Sequence, residues 1–332
     1  MRKLLLCFAL LAIVFQVNAQ PDADFQASGK PVARIFSNFH AGLTDQDNRS
    51  VFEIERAYLG YSYTMSPVFS AMVLLDIGSP EDESVYAIVK RYAYFKNAYV
   101  RYAANNIDVR FGIVGMNHFK VQEGFWGYRY IEDSFAGRYK FGKSADLGVL
   151  ASYKLSSWAA IDAAIVNGEG YSQLQTDNMF EYTAGITLNA PSRLNWRFFI
   201  NYGPSTTKTK MVYAAFLGYK PFERLSIAAE YNLLHNYKYL ENRNQSGYSF
   251  YSTYILKNNW KIFARYDLLE SNILENTSTP WNLAKDGSSL IAGVEKKLHS
   301  NLKISLNYRD WYPSAANLDN EAYVYFNVEF KL

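Results

Sequence analysis

Polar and apolar residues alternate one for one along most of this chain. The last eleven positions show it plainly: Ala322, Val324, Phe326, Val328, Phe330 and Leu332 fall on one face, and Tyr323, Tyr325, Asn327, Glu329 and Lys331 on the other. A period of two is the signature of a strand. In water an apolar edge of this kind invites aggregation, whereas a strand facing lipid must be apolar outward. Such segments recur sixteen times, at 32–43, 51–64, 68–77, 92–104, 107–115, 144–154, 158–168, 179–190, 194–202, 209–220, 225–236, 246–257, 260–270, 287–297, 302–313 and 320–332.

The joins alternate as well. Those after even-numbered segments are short and rich in turn formers: Met65-Ser66-Pro67, Asn105-Asn106, Ser156-Ser157, Pro191-Ser192-Arg193, Pro221 to Arg224, Asn258-Asn259 and His299-Ser300-Asn301. Those after odd-numbered segments are mostly longer and more polar, as at 78–91, 116–143 and 271–286. Tight hairpins on one side and loops on the other predict an all-β fold, a transmembrane antiparallel up-and-down β-barrel of sixteen strands. Both termini then lie on the short-turn side, which is periplasmic in an outer membrane. Predicted outward faces include Ile107, Val109, Phe111 and Ile113, then Leu194, Trp196, Phe198 and Ile200, and then Trp260, Ile262, Ala264 and Tyr266. Two places conflict with strict alternation. Arg56 breaks the second strand, and Trp158 shares a face with Asp162, so either Trp158 points inward or a bulge shifts the register there.

Composition narrows the class. Aromatics make up 17% of the chain, with 28 Tyr and 22 Phe, while mean hydropathy is only −0.20. Lumen-facing polar residues dilute lipid-facing ones in a barrel, and Tyr and Trp gather at its interfaces. Residues 1–19 read as a cleaved signal peptide, with Arg2 and Lys3, an apolar run from Leu4 to Phe15, and Val17-Asn18-Ala19 as the cleavage site. That run is shorter than the roughly 20 residues a spanning helix needs. It also holds Cys7, the single cysteine of the chain, so no disulfide staples the exported protein. The remaining organisation is a short segment at 20–31, too brief for a plug domain, and one barrel domain at 32–332. Lys and Arg number 34 against 31 Asp and Glu. That near-even balance shows no basic excess for nucleic acid, and the barrel pattern makes outer-membrane lipid and small solutes the expected partners.

The connection at 116–143 is the candidate functional element. It carries Phe119, Phe125, Trp126, Tyr128, Tyr130, Phe135, Tyr139 and Phe141, too apolar a set to stand in water. A sixteen-stranded lumen offers a place to fold it, where it would form a constriction. Five cations (Lys120, Arg129, Arg138, Lys140, Lys143) against three acids (Glu123, Glu132, Asp133) favour anions mildly. The expected constriction residues are Arg129, Arg138, Lys140 and Glu132, facing Arg101 and Arg110 on the wall. Other inward positions carry both signs, from Arg197, Lys261, Arg265, Lys303 and Arg309 to Asp76, Asp108, Asp146, Glu181, Glu230, Asp267 and Glu295. Those charges set up a transverse field or simply brace the wall. No His/Asp/Glu spacing suggests a metal site and no Gly-rich loop a phosphate cofactor. The four histidines, His40, His118, His235 and His299, show no nucleophile–base pattern. The expectation is a passive, cofactor-free channel for small polar or ionic solutes rather than an enzyme. A non-conducting scaffold or adhesin is the alternative, and an outer-membrane hydrolase a more distant one.

The run from Phe52 to Asp76 resembles the first hairpin of a porin family found in Bacteroidetes, related to the phosphate-selective porins O and P. Ala98 to Tyr102, Val109 to Gly112 and Gln122 to Arg129 extend the likeness over roughly the first half of the chain. The resemblance implies a sixteen-stranded barrel, a trimeric assembly and passage of small solutes. It also implies a basic constriction, a part that Arg129, Arg138 and Lys140 would play. Glu123, Glu132 and Asp133 depart from a purely basic one.

Overall fold

The computed structural model describes residues 25–44, 48–78, 92–190 and 193–332. The signal-peptide reading at 1–19 lies outside them. Sixteen strands follow one another: β1 Ser28–Gly42, β2 Ser50–Thr64, β3 Phe69–Gly78, β4 Tyr92–Ala104, β5 Ile107–Gly115, β6 Ala145–Lys154, β7 Ala159–Val166, β8 Glu181–Asn189, β9 Leu194–Gly203, β10 Lys210–Phe222, β11 Leu225–His235, β12 Gln245–Ile255, β13 Trp260–Ser271, β14 Gly287–His299, β15 Leu302–Pro313 and β16 Glu321–Lys331. Each pairs antiparallel with its sequence neighbours. β1 also pairs with β16, from Arg34 opposite Lys331 to Gly42 opposite Tyr323, which closes the barrel. Closure gives every strand a partner on each side, so no strand is a free sheet edge.

The turn chemistry explains the tight joins. Asn258 and Asn259 both take left-handed conformations, with φ of 57° and 62°, as a two-residue hairpin of type I′ requires. Asn105 does the same at φ 50°. β1 begins at Ser28, earlier than alternation suggests, because it pairs with β2 from Ser28 but with β16 only from Arg34. Pro31 lies in that single-partner stretch, where a strand tolerates a residue without an N–H.

The disputed registers have physical resolutions. Between β1 and β2 the register shifts at Phe36/Ser37, so Glu55 is the extra residue and both Glu55 and Arg56 turn inward. A second shift at Leu74/Leu75 makes Lys96 the extra residue of β4, so that Lys96 and Asn97 share the interior. Near Asp162 no shift occurs. Trp158 stands in the turn ahead of β7 and is half-exposed, while Asp162 points inward to Arg197, 2.8 Å away.

Outward positions form an apolar belt in which Phe111, Phe198, Ile262, Tyr266 and Phe326 are exposed. The core therefore lies inside the barrel. It is built from Phe36, Trp126, Tyr128, Tyr130, Ile131, Phe216, Tyr251, Phe263 and Ile291, with a second cluster around Phe119, Phe135, Phe141, Val212, Leu234 and Leu269. Among the described residues no helix is long and apolar enough to cross a membrane.

Candidate functional site

Two short helices organise the segment between β5 and β6: α1, Lys120–Trp126, and α2, Phe135–Arg138. Gly127 ends α1 in the left-handed conformation, φ 76°, and returns its N–H to the Glu123 carbonyl. Ser134 caps α2 by accepting from the Gly137 N–H at 3.3 Å. From there the segment tracks around the inner wall. Arg197 of β9 donates to the His118 carbonyl at 3.1 Å. Phe125 meets Phe216 of β10 edge-on at 5.6 Å. Trp126 packs on Tyr251 of β12 and Phe263 of β13 at 5.6 and 5.9 Å, and Tyr128 on Phe263 at 4.3 Å. The Tyr130 hydroxyl donates to Glu295 of β14 at 2.9 Å, and the Tyr130 ring lies 6.5 Å from Phe36 of β1. Trp126 is 2% exposed, and Tyr130, Ile131 and Phe135 are fully buried. Each such side chain contributes about 1.5–3 kcal/mol to docking.

The two ends of the segment meet at His118. Its ring stacks on Phe199 at 4.1 Å with a 10° interplanar angle. A Cβ on Gly142 would stand only 2.0 Å from His118 Nδ1, so nothing larger than glycine fits there. Burial, and then the Arg197 guanidinium, push the imidazole pKa down to about 3 from 6.5, so it is neutral near pH 7.

The residues expected at a constriction separate into three groups. Arg129 faces three carboxylates: Asp133 at 2.5 Å, Glu123 at 3.7 Å and Glu55 at 3.9 Å. Arg138 sits between Glu132 at 3.5 Å and Asp267 at 3.9 Å, donates to Ser289 Oγ at 3.0 Å, and lies over the rings of Tyr139 and Trp311. Glu132 also meets Arg309 at 3.8 Å. Burial alone would raise the Glu132 pKa, but Arg138, Arg309 and Arg265 outweigh it and hold the carboxyl below its ordinary range. Arg101 and Arg110 share Asp108, at 2.6 and 3.0 Å, close to the tight turn between β4 and β5. Lys140 takes a left-handed conformation just past α2, φ 61°. Burial, followed by Arg56 and Lys285, lowers its pKa below the usual lysine range.

What the segment leaves uncovered is a lumen cavity of about 1580 Å³. Arg129, Lys140 and Arg110 line it, whereas Arg138, Glu132 and Arg101 do not. Its walls carry eleven Lys and Arg side chains against six Asp and Glu. Several of these cations carried no expected lining role in the sequence: Arg56, which stood out there only as a break in alternation, and Lys96, Lys210 and Lys285. The signal for the first two was available, because Glu55-Arg56 and Lys96-Asn97 place polar pairs side by side in otherwise alternating strands. Among the described residues no three of His, Cys, Asp and Glu gather as a metal site would need. His40 stacks on Tyr325 at 4.9 Å, and His299 lies 3.2 Å from Ser300 Oγ on an exposed turn.

No family model matches the sequence, and no curated protein matches it. Solved structures match over nearly the whole chain. OmpF of Salmonella typhi in complex with daunomycin superposes with a TM-score of 0.66 at 10% identity, covering 92% of this chain and 97% of its own. The outer-membrane channel DcaP of Acinetobacter baumannii gives 0.65 at 12% identity, covering 95% and 100%. An anion-selective porin from Comamonas acidovorans gives 0.64 at 11%, covering 92% and 100%. These likenesses establish the fold, a closed sixteen-stranded barrel of the kind seen in outer-membrane porins and channels.

Proposed function

We propose that the protein is an outer-membrane diffusion channel for small polar and ionic solutes, with a mild preference for anions. The observation that carries this reading is the cavity inside a closed barrel, lined by eleven basic and six acidic side chains. A wall with that imbalance raises the local concentration of anions. The segment at 116–143 is the constriction. Arg129, Lys140 and Arg110 present charge to the passing solute, while Arg138, Glu132 and Arg101 brace the surrounding structure. Transport follows the concentration gradient and uses no cofactor or catalytic group. The short turns and both termini face the periplasm, the apolar belt contacts outer-membrane lipid, and the chain is exported by a cleaved signal peptide. Kinship with the Bacteroidetes porins related to O and P fits the first-half motifs. A trimer fits as well, since an OmpT of Vibrio cholerae that matches at TM-score 0.64 and 13% identity is described in trimer form.

Single-channel recording of the purified protein in a planar bilayer under a KCl gradient tests the reading. Stable conductance steps and a reversal potential of anion-selective sign are expected. A folded barrel that never conducts would replace the channel by the scaffold reading. Arg129→Gln leaves Glu55, Glu123 and Asp133 without their shared cation, so the reversal potential shifts towards cation selectivity. An unchanged potential would remove Arg129 from the constriction.

A further inference from the structure

Behind α1 lies a group of buried oxygens that neither the wall nor the segment satisfies. On β11, Glu230 is 3% exposed and Asn232 is fully buried. Asn232 Nδ2 donates to Glu230 Oε2 at 3.2 Å, while Asn232 Oδ1 makes no hydrogen bond, although the Asn232 side chain stands beside the equally unbonded Nε2 of His118. Directly across the ladder from Glu230 stands Ser249 of β12, fully buried, its Oγ unpartnered. Gln122 of α1, 1% exposed, makes no bond through either amide atom.

Two contacts place Gln122 over this patch. Tyr251, the next inward residue after Ser249, donates its hydroxyl to the Gln122 carbonyl at 3.3 Å. Phe125, three residues further along α1 on the same face, packs on Phe216, the ladder neighbour of Glu230. Arg265, the cation in electrostatic reach of Glu230, is already held by both oxygens of Asp267 at 2.8 and 2.7 Å. The Glu230 carboxylate is thus desolvated with one amide donor and no countercharge of its own.

We propose that Glu230, Asn232, Ser249 and Gln122 form a site for one dehydrated monovalent cation of the Na⁺ type, pinned between α1 and the barrel wall. Carboxylate, amide and hydroxyl oxygens are the donors hard cations take. A single carboxylate balances a single positive charge, and an unbalanced buried charge is strongly disfavoured. Water would satisfy the orphaned atoms without balancing the charge, which then falls to a proton on Glu230 or to a bound cation, and the Na⁺ dependence tested below separates the two. None of the four residues lines the lumen cavity, so the site stands whether or not the barrel conducts.

Wild-type crystals soaked in Tl⁺, a heavy surrogate for alkali cations, test it directly. An anomalous peak bonded to Glu230 and Asn232 is expected, and water density without Tl⁺ overturns the proposal. In solution, the heat-denaturation midpoint of the detergent-purified barrel should be roughly 2–4 °C higher in NaCl than in N-methylglucamine chloride of equal ionic strength. Glu230→Gln should abolish that difference, and equal midpoints for the wild type would refute the site. Asn232→Asp supplies a second carboxylate and should transfer the preference to Ca²⁺. Should Glu230→Gln not fold, indifference of Asn232→Asp to CaCl₂ against NaCl would count equally against the site.

Discussion

From β9 round to β1 the inner wall presents Phe36, Phe216, Tyr251, Phe263 and Ile291, all buried, while from β2 to β8 it presents Arg56, Asp76, Lys96, Arg110 and Glu181. The first stretch is dry because α1 and the turns after it lie on it. The second faces the cavity. Apolar residues pointing into an aqueous lumen would expose a large patch, so the wall itself specifies where the segment docks. The covered half buries both members of its braces, as with Arg265 and Asp267 at 1% and 0% side-chain exposure, whereas the open half buries the acids Asp76 and Glu181 and leaves their partners Arg56 and Lys210 partly exposed to the cavity.

Removing the aromatic anchor should blur this division most. Trp126→Ala opens a cavity at the centre of the dry half and should weaken docking by about 3–5 kcal/mol. Faster hydrogen exchange over 116–143 and a larger single-channel conductance would register it. Forcing the base of the segment apart comes next. Gly142→Val drives a side chain into His118 and should cost about 1–3 kcal/mol, read by proteolysis within 116–143 of an otherwise intact barrel.

Acid acts in the same direction with a smaller effect. Above pH 6.5 the His118 imidazole is neutral whether docked or free. Below it the undocked segment takes up a proton that the docked one refuses until about pH 3, so docking loses stability as pH falls from 6.5. Glu132, whose pKa is held below 4.5 when docked, adds to the loss only under 4.5. After correction for the intrinsic exchange rate at each pH, the protection factor of the segment should be lower at pH 5 than at pH 7, and equal protection factors would remove His118 as the cause. At the bottom of the scale, Lys208→Ala breaks an exposed ion pair with Glu241 on the rim. It should change thermal stability by no more than about 0.5 kcal/mol, the control that the larger effects belong to the interior.

The strands were legible because lipid and lumen impose opposite demands on successive side chains, and β4, β5 and β15 fall where alternation puts them. Glu55 and Lys96 were visible only as polar pairs that interrupt the alternation, and the pairing register alone shows that each is an extra residue turned inward. The pairing of charges was hidden more deeply. Sequence gives the sign of Arg129, but only the fold brings Glu55, some seventy positions upstream in the chain, into its reach. Docking partners lay half in view, since Phe36, Phe216 and Phe263 occupy inward positions where a wet pore has no use for them.

The seam between β1 and β16 sets the order in which the molecule can be made. Arg34 bonds Glu329 across 295 positions, while every other neighbouring pair of strands is adjacent in sequence. Hairpins between sequence neighbours can form locally, yet the ring stays an open sheet with two unpaired borders until its last strand arrives. Loop-closure entropy makes that final join slow. A chain that stalls before β16 is therefore an aggregation hazard rather than a smaller barrel.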